Sequence, residues 1–226
     1  MNKKDLHAAV TRYSERLEKF GYSEEALGWS KNKNKLRFST LISEWKDELH
    51  GSSICDFGCG FGDFYFFLKK DEKIRDFSYL GVDINSDLIE EGKKHYPEAE
   101  FWVGDMVSEA FERKFDFAFS SGVFNHKLNF QDEYHFIEEC LDKLNQISTK
   151  GYAVNFLSDK VDFQLEHTFH SNPGKILEMA FRHSKNIVLR NDYMPFEFTI
   201  FVRKDIKIDT DKVVFEKISV DKSINQ

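Results

Sequence analysis

Apolar residues recur along this chain with two different periods, and the change from one to the other lays out its elements. Leu6, Val10, Tyr13, Leu17 and Phe20 are spaced by three and four, which predicts an amphipathic helix over residues 5–20 that stops at Gly21. A connection through Gly28, Trp29 and several lysines follows, and Leu36, Leu41, Ile42, Trp45 and Leu49 predict a second helix over 35–49. Beyond it, short β-forming runs alternate with helical stretches. The runs are ICDF at 54–57, FSYLGVDI at 77–84, AEFWVGDM at 99–106, FDFAFSSG at 115–122, GYAVNFLS at 151–158, NIVLR at 186–190 and FEFTIFVRK at 196–204. Helices are expected around Phe64, Phe67 and Leu68, over 86–95 before Pro97, over 133–147 and over 173–184. Strands alternating with helices predict an α/β fold, a doubly wound and mainly parallel sheet with helices on both faces.

One stretch, ICDFGCGFGDFYFFL at 54–68, organises the rest. A strand ends at Asp56, glycines follow at 58, 60 and 62, and a helix begins. Glycine has no Cβ, so such a turn lets backbone pass close to a ligand at the strand's carboxyl end. A dinucleotide fingerprint reads G-x-G-x-x-G and places a pyrophosphate on the helix N-terminus. Here the last glycine of that pattern is replaced by Asp63, whose charge opposes a pyrophosphate and suits a cationic or zwitterionic nucleoside. Asp83 at the tip of the second strand, followed by Ile84, can accept hydrogen bonds from both ribose hydroxyls. Asp105 and Met106 close the third strand, where a carboxylate can take an adenine amine and Met106 can offer its amide and apolar side chain to the ring. The fourth strand ends in Ser120, Ser121 and Gly122, small residues that leave room for a reacting centre.

These matches, in this order over residues 53 to about 203, resemble the class I S-adenosylmethionine-dependent methyltransferases. The resemblance implies a Rossmann-like seven-stranded sheet with its last strand antiparallel, and S-adenosyl-L-methionine as cofactor. It implies that Asp56, Gly58, Cys59, Gly60, Asp83, Ile84, Asp105, Met106 and Ser121 hold that cofactor, with Arg37 on its carboxylate. It divides the chain into N-terminal helices acting as a lid (1–50), a methyltransferase domain (51–203) and a C-terminal extension (204–226); the charged composition of that extension, with one alternating patch at 212–218, suits either an edge hairpin or partial disorder. The Asn/Asp-Pro-Pro-aromatic mark of base-amine methylation is missing after the fourth strand. The carboxylate that metal-dependent catechol-type enzymes carry there is a serine, so no metal is expected. SSGVFN, VNFLS and DYMPFEFTIFV are most similar to a bacterial group of small-molecule methyltransferases, some of which accompany surface-polysaccharide or sugar-nucleotide biosynthesis.

Methyl transfer from a sulfonium is an in-line displacement, so alignment and exclusion of water dominate, and a base helps only an acceptor that must lose a proton. Acceptor residues must project from the ends of the fourth and fifth strands or the loops beyond. His126 and His170 titrate in the right range to act as bases. Asn155 interrupts an apolar strand and is expected to face the pocket, because a buried amide without partners is costly. Tyr193 and Glu197 are further candidates for the same cleft. The expected reaction is transfer to a small polar metabolite, at oxygen. The alternatives are a tRNA or protein methyltransferase, or a non-catalytic subunit that keeps the fold.

Composition narrows the partners further. The net charge of -7 over 226 residues argues against a broad nucleic-acid surface, with Lys31, Lys33, Lys35 and Arg37 as one local basic run. Three cysteines, Cys55, Cys59 and Cys140, lack zinc spacing and are expected to be reduced thiols in a cytoplasmic protein. No run of about 18 apolar residues and no signal-like apolar core occurs, so no membrane association is expected. The oligomeric state stays open.

Overall fold

The computed structural model describes residues 1–29, 33–205, 207–209 and 214–215. Lys31 and most of the 212–218 patch lie outside the described residues. Seven strands form one sheet: β1 (Ser53–Phe57), β2 (Ser78–Asp83), β3 (Glu100–Val103), β4 (Phe115–Ser120), β5 (Ser148–Leu157), β6 (Asn186–Arg190) and β7 (Glu197–Arg203). Their order is β3-β2-β1-β4-β5-β7-β6, and β7 runs antiparallel to both of its neighbours while the other pairings are parallel. The order reverses between β1 and β4, which opens a crevice beyond their carboxyl ends.

The helices are α1 (Lys3–Phe20), α2 (Asn34–Ile42), α3 (Asp63–Lys69), α4 (Ser86–His95), α5 (Glu133–Ile147) and α6 (Pro173–Phe181). Several begin where a side chain satisfies the first free amides. Asn2 accepts from Lys4 N, Asn85 from Asp87 N and Leu88 N, Asp132 from His135 N, and Asn172 from Lys175 N with Pro173 in the first turn. The second helix is shorter than its apolar pattern predicts. It ends at Ile42, and a single 3-10 turn, Lys46–Glu48, follows. The hydroxyls of Thr40 and Ser43 bond back to the carbonyls of Leu36 and Thr40, and such bonds compete with helix continuation. β5 also starts three residues earlier than expected, because the chain turns extended at Ser148 directly after α5.

The pleat of the sheet divides the core. Phe117 and Phe119 of β4 face α2 and α3, packing with Leu41, Trp45, Phe64 and Leu68. Ala118 faces the other side, with Ile137 and Leu141 of α5 and Ile176 of α6. Both faces are therefore covered, as a parallel sheet requires. Beyond β7, β8 (Ile208–Asp209) pairs antiparallel with β9 (Val214–Phe215) as a separate two-stranded ladder.

Candidate active site

The turn after β1 is held by the tip of β2. The amides of Gly58 and Cys59 both donate to Val82 O at 2.8 and 3.0 Å, and the Gly60 amide donates to Asp83 Oδ2 at 2.8 Å. Gly58 adopts φ 74°, and a Cβ there would stand 2.1 Å from Val123 Cγ2, so both conformation and contact demand glycine. Asp83 Oδ1 accepts from Asn85 N at 2.9 Å. That leaves about half of the acceptor positions of this carboxylate for the cleft beside it.

Among the described residues, the cleft at the strand-order reversal is lined by Asp56, Asp63, Asp83 and Asp105, with the Met1 ammonium beside Asp105, and by no Lys, Arg or His side chain. Burial pushes the Asp56 carboxyl up to about 7, the charges of Asp83 and Asp63 add to this, and a 2.7 Å bond from Tyr79 Oη opposes it. Burial also raises Asp83, opposed by the amide bonds from Asn85 and Gly60. Asp63 accepts from Tyr22 Oη and Tyr96 Oη, both at 2.8 Å. Such a cleft repels phosphates and attracts cations. Asn34 adds a buried Oδ1 without a donor among the described residues.

Two segments cover the cleft. Ala9 and Tyr13 of α1 and Leu27 and Trp29 of the following connection line it from above. α1 is tied down by Asn85 Nδ2, which donates to Val10 O at 2.9 Å and Ser14 Oγ at 3.1 Å. The connection is tied by Arg16, which donates to Ala26 O at 3.0 Å and to Glu25 O. The covered volume is about 140 Å3. A nucleoside needs more, since ligand pockets start at roughly 300 Å3.

A second cavity of about 620 Å3 adjoins the first and shares Tyr13, Leu27, Trp29 and Gly122 with it. Its walls include Arg37, Asn125, His126, His167 and His170. The His126 ring stands edge-on to Tyr13, with centroids 6.1 Å apart, and 5.9 Å from the His167 ring. Burial is the main cause that lowers His126 to about 4, and the nearby charges of Arg12, His167 and Arg16 act in the same direction.

Asp56, Gly58, Cys59, Gly60, Asp83, Ile84 and Ser121 come together in the cleft, as does Asp105. Other candidates stand elsewhere than the sequence suggests. Met106 is fully buried in the core and does not line the cleft, because the apolar interior between β3 and α5 takes its side chain. The Asp105 carboxylate is engaged by the Met1 ammonium at 2.8 Å and by Val107 N, and the ammonium holds it below the usual range although burial opposes this. Arg37 lies in the second cavity's wall, where its Nε and Nη2 donate to the buried Glu197. The basic run is thereby interrupted, and Glu197 faces inward. Tyr193 Oη bonds Thr199 Oγ1 at 2.9 Å.

Asn155 lines neither of these two cavities. It accepts from Gly122 N at 2.8 Å and donates to Ser121 Oγ at 3.3 Å, which fixes the loop after β4. His170 has both ring nitrogens beside partners, Nδ1–H donating to Ser158 O at 2.7 Å and Nε2 standing 3.1 Å from Thr168 Oγ1, so its ring is tied into the loop on both sides. The Cys59 thiol is pushed well up by burial and by the charges of Asp83 and Asp56, which removes it as a nucleophile. Reading the sequence missed Tyr13 and Asn34 as site residues. Tyr13 looks like one more member of the α1 apolar stripe, and only the polar character of Asn34 at a helix start hinted at a role.

Among the described residues, no group of three or more His, Cys, Asp or Glu is placed to hold a metal ion, and no helix is long and apolar enough to cross a membrane.

Comparison with known proteins bears on this geometry. Residues 54–146 match a family model described as a methyltransferase domain. Over 157 residues the chain is 29% identical to Rv1506c of Mycobacterium tuberculosis, provisionally named as a methyltransferase, covering 67% of this chain and 93% of that one. Among solved structures, the fold is similar to magnesium protoporphyrin IX methyltransferase of Synechocystis with bound S-adenosylhomocysteine, at TM-score 0.62 and 13% identity over 88% of this chain and 99% of the other. It is also similar to a TehB-like S-adenosylmethionine-dependent methyltransferase of Corynebacterium glutamicum, at TM-score 0.56 and 23% identity over 88% and 100%.

Proposed function

We propose that this chain is a class I S-adenosylmethionine-dependent methyltransferase, a reading supported by its match to a methyltransferase domain over residues 54–146, and that it methylates a small polar metabolite at oxygen. One observation carries the reading: a predominantly acidic cleft at the strand-order reversal adjoins a larger cavity across Tyr13, Leu27, Trp29 and Gly122. Its cofactor, S-adenosyl-L-methionine, fits the donor set of the cleft. When bound, it supplies an electrophilic methyl group on a cationic sulfur.

The protein's own residues do the rest by placement. Asp83, with one backbone amide on each oxygen, presents its remaining acceptor positions to ribose hydroxyls. The carboxylates of Asp56 and Asp63 set a negative field that favours a sulfonium and an α-ammonium. The unpartnered Asn34 Oδ1 is a suitable acceptor for that ammonium. Asn155 holds Ser121 and Gly122 still, which keeps the passage between the two cavities in register. His126, lowered to about 4, is neutral at pH 7 and a weak base, so it suits orienting an acceptor oxygen rather than taking its proton. His170 fixes the loop from Ser158 to Thr168 around the second cavity.

The experiment is calorimetric titration with S-adenosylmethionine, S-adenosylhomocysteine and NAD, followed by an acceptor screen with methyl-labelled cofactor. Binding of both sulfur ligands without NAD, and label in alkoxy or ester products, is expected. Label found only on nitrogen or sulfur overturns the oxygen assignment, and binding without turnover of any acceptor favours a non-catalytic subunit.

A further inference from the structure

We propose that the second cavity takes an anionic hydroxy compound, an oxyacid head on an apolar body that also bears a hydroxyl, with Arg37 as donor to the head and Asn125 as acceptor for the hydroxyl. This rests on the methyltransferase reading of the same site and names the class of its acceptor.

Arg37 is 5% exposed, and only two of its three guanidinium nitrogens are used. Nη1 is buried with no acceptor among the described residues, on a residue that lines the cavity, and the Trp29 ring lies 4.3 Å from the guanidinium. A buried cationic donor left unpaired is costly, and an anion brought by an occupant removes that cost. Glu197 neutralises the guanidinium but cannot reach all of its planar fork. Asn125 presents the complementary deficit. Its Oδ1 is a buried acceptor without a donor, on the same cavity wall, and a hydroxyl on the occupant satisfies it.

The surroundings carry the same sign. Arg16 and Lys160 also line the cavity, against one lining carboxylate, Asp162, among the described residues. Beside burial, the charges of Arg12, His167 and Arg16 disfavour protonation of His126 on that wall. The body is read from Leu157, Val161, Phe163, Leu165 and Phe196, which line the remainder. Phe163 and Leu165 are exposed, at 77% and 52%, although both line the cavity, so an occupant with apolar surface has an apolar wall to cover. An anion at Arg37 and an apolar contact along this loop are compatible with one small molecule, since both line a single space of about 620 Å3.

The test uses the full chain saturated with S-adenosylhomocysteine, titrated with 4-hydroxybenzoate, 4-hydroxyphenyl phosphate, 4-hydroxybenzamide and benzoate. At least one of the hydroxylated anions should bind tenfold or more tightly than the neutral amide, and the better of the two identifies the head as carboxylate or phosphate. Benzoate, without the hydroxyl, should bind less tightly than 4-hydroxybenzoate. The double variant Arg37→Gln/Glu197→Gln removes the buried pair without stranding a charge, and it should erase the anion preference to within twofold while S-adenosylhomocysteine affinity stays within twofold. Where that variant does not fold, Arg37→Lys keeps the charge, loses the fork and should reduce the preference about tenfold. The wild-type ratio alone overturns the proposal if the amide binds within threefold of both anions or if no probe binds. It is also overturned if the double variant loses S-adenosylhomocysteine tenfold but keeps methylthioadenosine, because Arg37 then serves the cofactor's carboxylate. Failure of wild type to bind S-adenosylhomocysteine refutes the methyltransferase reading instead, which separates the two.

Discussion

Asp83→Asn removes one charge and one acceptor from the tip of β2 while preserving its shape. In the folded protein the two carboxylate oxygens accept from Gly60 N at 2.8 Å and Asn85 N at 2.9 Å. An amide can satisfy only one of these donors, and the other loses its acceptor, at a cost of about 1–3 kcal/mol. The loss is offset in part because burial disfavours the carboxylate, as its raised pKa records, and burying a neutral amide costs less. The variant should therefore fold, with a lowered urea midpoint. The cofactor loses more. Two ribose hydroxyls that meet a charged acceptor contribute roughly 1.5–3 kcal/mol each, against about 0.5–1.5 for a neutral one. The difference sums to roughly 2–3 kcal/mol, or roughly 30- to 150-fold in Kd. S-adenosylhomocysteine is the proper probe, because its neutral sulfur removes the direct attraction between Asp83 and a sulfonium. Calorimetry on wild type and variant, each with this ligand and its 2′,3′-dideoxy analogue, isolates the hydroxyl contribution. The analogue should bind equally to both proteins. A variant that binds S-adenosylhomocysteine within threefold of wild type, or an analogue that loses as much as the parent, refutes the ribose assignment.

Other perturbations bear on the covering segments, the loop after β4 and the buried charges. Gly122 has φ 79°, and a Cβ there would lie 2.1 Å from Trp29 Cη2, so Gly122→Ala should cost about 1–2 kcal/mol in backbone strain alone and push the indole out of both cavities. A red-shifted tryptophan emission with a raised acceptor KM would register it, and unchanged emission would count against the contact. Asn155→Leu strands the Gly122 amide, so stability should fall by about 1–3 kcal/mol and kcat should drop more than cofactor affinity; equal kcat would remove its positioning role. Asp56 titrates at about 7 in the fold against an ordinary value of 3.8, so the native state holds the extra proton between those values and its contribution to stability declines as pH rises through that window. His126, lowered from 6.5 to about 4, acts in the opposite direction over pH 4–6.5, so the comparison must be with Asp56→Asn. Relative to that variant, the unliganded wild type should lose up to roughly 4 kcal/mol between pH 4 and 7, and parallel urea curves at the two pH values would contradict the burial of an ionising carboxyl. For the same reason wild-type affinity for the sulfonium cofactor should rise through pH 7.

Much of the fold was legible from local rules. The glycine turn, the alternation of strand and helix, the 133–147 helix and the NIVLR strand follow from periodicity and from backbone conformations that few residues tolerate. The antiparallel seventh strand came from resemblance, and its pairing with β5 and β6 agrees. The carboxylates at the strand tips were legible for the same reason: a parallel sheet sends the ends of β1 and β2 to one crevice, so Asp56 and Asp83 had to meet. What tertiary structure decided is which lone pairs and protons remain unused once distant segments pack. Arg37 reads as a cofactor ligand until Glu197, 160 residues away, takes two of its nitrogens. Asn155 reads as a pocket residue until Ser121 and Gly122 consume its amide. His170 reads as a base until Ser158 and Thr168 occupy both sides of its ring. Tyr13 reads as core until α1 is laid across the crevice. Residue type and spacing set what a side chain can donate or accept, whereas the chain segments folded against it set what it has left to offer a substrate.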